Sequence, residues 1–293
     1  MLIMIINIIL GLVLGPKLEA VINPEGVMAI TAPVSEVAPV IQDYRAAVFS
    51  PLDRTFLLEN EADVKQPIAS ITKLMTALVF IKTNPRWEEI YQIKSEDHVE
   101  GGRLNLFLGD SVTIRSLFYT SLVASDNGAT LALVHASGLS ETEFVARMNL
   151  MAQQLGLRQT KFIDPVGLSD GNISTAREVA RLAVAAFERP EIREATLKKT
   201  HVFTTLEGRE KKIESTDNLL FNSKDNGRKI LGGKTGYTPL AGYCFVGLFS
   251  DASGRELISV VLNSQDKNER FVDSRRLADW IFDNYLWHKN YSF

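Results

Sequence analysis

Residues 67–80, Pro-Ile-Ala-Ser-Ile-Thr-Lys-Leu-Met-Thr-Ala-Leu-Val-Phe, constrain the fold more than any other stretch of the chain. Pro67 and Ser70 are helix-start signals, and Leu74, Met75, Leu78 and Val79 recur at the spacing of one apolar helix face. The pattern predicts a buried helix that ends before Asn84-Pro85. Residues three apart on a helix share a face, so the Ser70 hydroxyl and the Lys73 amine can meet there. A serine hydroxyl is a poor nucleophile without a neighbouring base. A lysine amine can be that base if burial or nearby positive charge lowers its pKa. The helix N-terminus adds backbone N–H groups and partial positive charge, which suit a developing oxyanion. Taken alone the four residues decide nothing, because serine is a preferred cap and lysine usually reaches water.

The length of 293 residues suits one large domain or two small ones, and 45% hydrophobic with 23% charged residues is ordinary for a chain with a real core. A net charge of −3 without a basic stripe gives no electrostatic case for nucleic acid. The single Cys244 cannot form an internal disulfide, and its apolar, strand-like setting predicts a buried, inert thiol. His98, His135, His201 and His288 share no ligand spacing with cysteines or carboxylates, so neither a metal nor a cofactor is expected. Met1–Leu14 is almost wholly apolar but short of the ~20 residues a spanning helix needs. Residues 1–20 therefore read as a secretory signal, with an uncleaved anchor as the alternative, and either places the remainder outside the cytoplasmic membrane. A linker over 21–43, a folded body over 44–287 and a short tail over 288–293 complete the expected organisation.

Two strand-like runs, Arg45–Phe49 and Arg54–Leu58, flank the turn Ser50-Pro51-Leu52-Asp53 and predict a hairpin. After the Ser70 helix, residues 86–110 are mixed, with turns at Gly101-Gly102 and Gly109-Asp110. Thr113 opens an apolar helix over Ile114–Leu122. Ala124-Ser125-Asp126-Asn127-Gly128 then interrupts before a second apolar run, Ala129–Val134. Ser140-x-x-Glu143 is a capping box that opens one helix, and Thr175-x-x-Glu178 caps a further helix to Glu188. The Phe144, Met148, Met151 stripe on the first of these reads as core. A polar hairpin or loop is expected over 196–230, its Glu207–Glu214 charges forming a solvated face. Gly233-Lys234-Thr235-Gly236 leads into a strand pair, Tyr243–Phe249 and Glu256–Leu262, and a last helix runs from about Asn268 to Trp287. The order predicts an α+β fold: an antiparallel sheet of about five strands built from both chain ends, helices on both faces, and a helical subdomain.

Ser70-Ile71-Thr72-Lys73, Ser125-Asp126-Asn127 and Lys234-Thr235-Gly236 occur in the order and contexts shared by class A β-lactamases and penicillin-binding proteins. With Phe162–Leu168, Ser174–Arg177 and Gly233–Gly242, the stretch from Arg45 to Trp287 resembles the penicillin-binding domain of low-molecular-mass D-alanyl-D-alanine carboxypeptidases and endopeptidases. The resemblance implies a β-lactamase/D,D-peptidase-like fold with Ser70 as nucleophile and Lys73 as its base. Ser125 would pass a proton to the leaving amine, and Asn127 would hold the peptide. Lys234 would supply positive charge, Thr235 would bind the substrate carboxylate, and the Ser70 and Tyr237 N–H groups would form the oxyanion hole. Arg270 matches an arginine used on the terminal carboxylate. Gly236 has a reason of its own, because a strand that pairs with extended substrate must let its backbone come close. Asp126 is left as a structural residue.

The implied partners are peptidoglycan peptides as substrate and β-lactams as covalent inhibitors, with membrane contact only through an uncleaved N-terminus. The implied activity is D-Ala-D-Ala carboxypeptidase, with cross-link endopeptidase and a slow penicillin-binding sensor as alternatives. The chain shows no second all-β domain or C-terminal amphipathic anchor of the kind many carboxypeptidases carry, and the short form with Ser-Asp-Asn is frequent in the endopeptidase branch. No Glu-x-x-Leu-Asn occurs between Ser140 and Pro190, so a long-lived penicilloyl adduct is expected rather than fast β-lactam hydrolysis.

Overall fold

The computed structural model describes Pro39, Ile41 and residues 44–99, 104–221 and 227–285. The signal or anchor over 1–20, nearly all of the 21–43 linker, the Gly101-Gly102 turn, Trp287 and the 288–293 tail lie outside the described residues. The described residues from Ile41 to Asp279 belong to one compact unit. In chain order the elements are β1 (Arg45–Ser50), β2 (Thr55–Asn60), β3 (Gln66–Pro67), α1 (Thr72–Lys82), β4 (Ile90–Gln92), β5 (Ser111–Thr113), α2 (Ile114–Val123), α3 (Asn127–Ala136), α4 (Glu141–Gln154), β6 (Ile173–Ser174), α5 (Ala176–Phe187), α6 (Pro190–Leu197), β7 (Thr200–Thr204), β8 (Glu210–Glu214), β9 (Lys229–Thr238), β10 (Gly242–Ser250), β11 (Glu256–Ser264) and α7 (Glu269–Asn284). No described helix is long and apolar enough to cross a membrane.

The expected hairpin pairs β1 with β2, and β1 then pairs with β11, giving a five-stranded antiparallel sheet in the order β2-β1-β11-β10-β9. Strand alternation gives this sheet two buried faces. Ala47, Phe49, Val246, Leu248, Ile258, Val260 and Leu262 join the core shared with the helical body, where α5 lies across β1, β10 and β11. On the opposite face Phe245 meets Phe271 at 4.9 Å and Ser259 Oγ donates to the Ser274 carbonyl, which seats the first turns of α7. α1 is buried on every side except at its C-terminal end, consistent with its apolar pattern, and it packs against α2, α3, α4 and α5.

Several elements differ from the sequence expectation for definable reasons. Pro67 lies in β3, paired with β6, and Ser70 sits in a single 3-10 turn, Ala69–Ile71, ahead of α1; its hydroxyl caps nothing. Pro190, read as the stop of α5, also starts α6, because its fixed φ suits the first helical position. Thr175 caps α5 by accepting from Glu178 N, but the Glu178 carboxylate turns away to Gln159 N and Thr160 Oγ1, so no reciprocal box forms. The Glu207–Glu214 charges are not simply solvated. Buried Lys211 pairs with Asp110 at 2.7 Å, Arg209 also bonds Asp110, and Glu207 accepts from Ser111 N, which docks the β7–β8 hairpin onto β5. Lys234, Thr235 and Gly236 lie inside β9 rather than ahead of a strand. The Ser140 box, the buried Met148–Met151 stripe and the buried Cys244 stand as expected.

Candidate active site

The turn that carries Ser70 is strained and wedged. Ala69 has φ +48°, a conformation that costs a residue with a side chain. Two glycines hold it in place. A Cβ on Gly167, whose φ is +85°, would collide with the Ala69 carbonyl. A Cβ on Gly236 would lie 2.8 Å from the Ile68 carbonyl and 3.3 Å from Ile71 N. The need for glycine at 236 is therefore set by the nucleophile turn behind the strand; that contact, rather than approach of substrate, is the reason the structure gives. Ile68 N donates to the Asn172 carbonyl at 3.0 Å, and Thr238 Oγ1 donates to Asp170 at 3.2 Å, closing the 164–172 loop against β9.

α1 then brings Lys73 under Ser70. Lys73 is fully buried, and its Nζ lies 3.0 Å from Ser70 Oγ, 2.7 Å from Asn127 Oδ1 and 2.6 Å from the Val166 carbonyl. Asn127 Oδ1 and the Val166 oxygen can only accept, so an ammonium at this position donates to all three oxygens, and a neutral amine keeps its two N–H bonds on Asn127 and Val166 and turns its lone pair to the Ser70 hydroxyl. Burial lowers the Lys73 pKa to about 7, opposed by the charges of Asp126 and Asp164. Among the described residues Lys73 is the one hydrogen-bonding partner of Ser70 Oγ.

The opposite wall begins at Ser125, held at φ +56° in the turn between α2 and α3. Its Oγ accepts from Lys234 Nζ at 2.7 Å, and Lys234 also donates to the Thr235 carbonyl at 2.8 Å. Lys234 is buried, and desolvation together with Lys73 and Arg270 pushes its pKa well below the usual lysine value, with Asp217 pulling it back. Thr235 Oγ1 shares a 2.7 Å hydrogen bond with Thr216. Tyr237 is exposed and stacks on Tyr243 at 4.3 Å. Arg270 is only 4% exposed, and its Nη1 donates to the carbonyls of Gly236 at 3.0 Å and Cys244 at 3.3 Å. It braces β9 and β10 from behind, and this backbone anchoring is a different task from direct grip on a carboxylate. Asp126 caps α3 through Ala129 N and accepts from Asn105, the structural part assigned to it.

The fold thus brings Ser70, Lys73, Ser125, Asn127, Lys234, Thr235 and Gly236 to one place, with Tyr237 at its rim and Arg270 behind it. Sequence reasoning missed four supports. The Asp164 carboxylate accepts from Val166, Gly167 and Ser169 N–H at 2.7, 2.5 and 2.7 Å, which aims the Val166 carbonyl at Lys73. Its position ahead of Pro165 in a turn-rich loop was the available signal. Asn172 bridges that loop to Thr72 at the start of α1. Thr216 and Asp217, beside β9, carry no recognisable spacing signal.

Residues 48–266 match the family model described as D-alanyl-D-alanine carboxypeptidase, and the chain belongs to this family. It is 28% identical to a D-alanyl-D-alanine endopeptidase of Escherichia coli K12 over 88% of this chain and 83% of that protein. A D-alanyl-D-alanine endopeptidase of Pseudomonas aeruginosa PAO1 is 33% identical over 77% of this chain and 72% of its own length. Among solved structures, penicillin-binding protein D2 of Listeria monocytogenes in its cefotaxime-bound form superposes with a TM-score of 0.73 at 32% identity, covering 84% of this chain and all of that one. The chain is a serine-type D,D-peptidase acting on peptidoglycan, with the α+β fold of the penicillin-binding proteins.

Proposed function

We propose that Ser70 is the nucleophile and Lys73 its general base in cleavage of a D-alanyl bond whose leaving residue bears a carboxylate. The observation that carries this is the environment of Lys73, a fully buried amine within hydrogen-bond reach of Ser70 Oγ, with two further acceptors able to hold both N–H bonds of its neutral form. Lys73 takes the Ser70 proton as Oγ bonds to the D-alanyl carbonyl carbon. The backbone N–H groups of Ser70 and Tyr237 receive the oxyanion. Ser125, with Lys234 behind it, relays the proton taken by Lys73 to the leaving nitrogen as the C–N bond breaks, giving the acyl-enzyme with Lys73 neutral again. Water, deprotonated by Lys73, then cleaves the ester and restores Ser70. Asn127 holds the peptide beside Lys73. Thr235 and Lys234 receive the leaving residue's carboxylate, and Arg270 adds positive potential through the strand it braces.

When the leaving residue is a terminal D-alanine the reaction is carboxypeptidase action; when it is the diamino acid of a cross-link, it is endopeptidase action. The second reading is favoured by two relatives that are both endopeptidases. Either substrate places the protein in the extracytoplasmic wall space. β-Lactams acylate Ser70 and leave slowly: Asp164 is occupied by backbone N–H groups and Glu178 by Gln159 and Thr160, so neither carboxylate is free to activate water at Ser70.

Mass spectrometry after brief exposure to penicillin, followed by digestion of a cross-linked muropeptide dimer, tests the proposal. The expected results are a persistent penicilloyl adduct on Ser70, absent in Ser70→Ala, and cleavage of the dimer or of its terminal D-alanine. An adduct without peptide turnover would make the chain a penicillin-binding sensor, and absence of both would discard the assignment.

A further inference from the structure

Beside β9 lies a carboxylate that the mechanism above does not use. Asp217 is 3% exposed. Its Oδ1 accepts from Leu219 N at 2.9 Å, while its Oδ2 has no hydrogen-bond partner among the described residues. A Cβ on Gly233 would lie 2.5 Å from that Oδ2, so the orphan oxygen rests against the residue immediately before Lys234. The neighbouring Thr216 is fixed to both walls of the cleft, through N–H to the Val123 carbonyl at 3.0 Å and through Oγ1 to Thr235 at 2.7 Å. Asp217 therefore has little freedom to relocate.

An unpaired buried carboxylate oxygen is left desolvated, at greater cost when charged, and calls for a compensating interaction. The charges around it supply one. Arg270, whose Nε is also unpaired, and Lys234 both act on Asp217. The groups facing Lys234 are Lys73 from α1, Arg270 from α7 and Asp217, and only the last is negative. Once Lys73 is neutral, two buried basic groups and one carboxylate share this space, and desolvation with repulsion from Arg270 favours loss of the Lys234 proton.

We propose that Asp217 is a positioning residue that keeps Lys234 protonated against desolvation and Arg270, and thereby sets the pH above which the Lys234–Ser125 pair fails. This rests on the roles proposed for Lys234 and Ser125. Burial raises the Asp217 carboxyl to about 7, so it is ionised on the alkaline side, where its charge is required. Removing that charge lowers the pH at which Lys234 loses its proton. Lys73 is governed by Asp126 and Asp164 instead, so the acid limb of the rate profile is independent of Asp217.

The test is Asp217→Asn, which preserves shape and the acceptor for Leu219 N. Penicillin acylation of Ser70 is measured across pH. The expected result is an alkaline limb displaced downward by about one pH unit, a roughly tenfold slower rate at a fixed pH on that limb, with the acid limb unmoved. A profile that is unchanged, or lowered equally at every pH, overturns the proposal, because loss of packing alone would do no more. A second measurement is independent of turnover: the carbon-13 titration of the Lys234 side chain in a Ser70→Ala background, assigned by its loss in Lys234→Arg. Asp217→Asn should lower that titration, and Lys234→Met should raise the Asp217 carboxyl above about 7. Insensitivity of both refutes the pairing even if acylation is normal. A wild-type chain that forms no adduct but shows both shifts would leave the charge pair standing and remove the catalytic reading beneath it.

Discussion

The 164–172 loop and strand β9 press on the same turn from opposite sides, one built on hydrogen bonds and the other on charge. In the loop, three N–H groups converge on Asp164, Asn172 uses both ends of its amide, and Thr76 Oγ1 donates to the Pro165 carbonyl at 2.5 Å. Against β9, the basic groups of Lys234 and Arg270 are buried, and Arg270 Nε and Asp217 Oδ2 are without hydrogen-bond partners among the described residues. A satisfied polar network fixes geometry, whereas buried unpaired charges fix potential and shift proton affinities. The loop side places the lone pair of Lys73, and the strand side supplies the field that a substrate carboxylate enters.

The sharpest test of that division is Lys73→Met. Loss of the base should slow acylation at least ~10³-fold, within the range for general-base catalysis. The same change should stabilise the fold. The folded-state pKa of Lys73 falls from 10.5 to about 7, so the folded chain binds this proton less tightly than the unfolded one. The wild-type penalty grows as pH drops from 10.5 to about 7 and is constant below that. Denaturant unfolding at pH 6 and pH 10 should therefore show a gain on the order of a few kcal/mol at pH 6 that fades by pH 10. Equal gains at both values would mean Lys73 is not a titrating base.

Gly236→Ala strikes the turn from the β9 side, where the added Cβ would meet the Ile68 carbonyl at 2.8 Å. An acylation loss of about 10²-fold is expected from a displaced nucleophile, with about 1–3 kcal/mol of destabilisation from overpacking. A crystal structure with an unmoved Ser70 would remove this explanation. Asp164→Ala attacks the loop side. It should cost about 1–3 kcal/mol through backbone donors left without an acceptor and slow acylation about tenfold by loosening the Val166 carbonyl. Stability and rate unaffected by that change would mean the loop is held elsewhere. The wild-type acylation rate should rise with pH through about 7 as Lys73 loses its proton, and a flat profile between pH 6 and 8 would contradict the buried-amine assignment. The smallest effect on rate is expected from Thr238→Val, which removes the bond to Asp170 and the acceptor for Ala241 N, costs about 1–3 kcal/mol of stability and leaves acylation nearly unchanged.

Periodicity and punctuation in the sequence set much of this molecule's local structure. Alternating apolar runs at both ends of the chain gave the sheet, caps at Thr113, Ser140 and Thr175 gave three helix starts, and the three-residue step from Ser70 to Lys73 brought hydroxyl and amine onto one side of a turn. These are local features, legible because helices and strands repeat over few residues. Pro190 shows their limit, since one residue both ends α5 and begins α6, and only the packing of Ile192 and Ala195 into the core selects the second helix. Glu178 and Lys211 show it again. Each reads as an ordinary local or surface charge, and each becomes buried through a partner far along the chain, Gln159 and Asp110 respectively. What tertiary structure alone decided is the proton state of the site. The depressed pKa of Lys73, the crowding of Lys234 by Lys73 and Arg270, and the carboxylate of Asp217 beside them follow from desolvation and through-space charge. Those forces depend on distance and burial, and the order of residues does not encode either until the chain has folded.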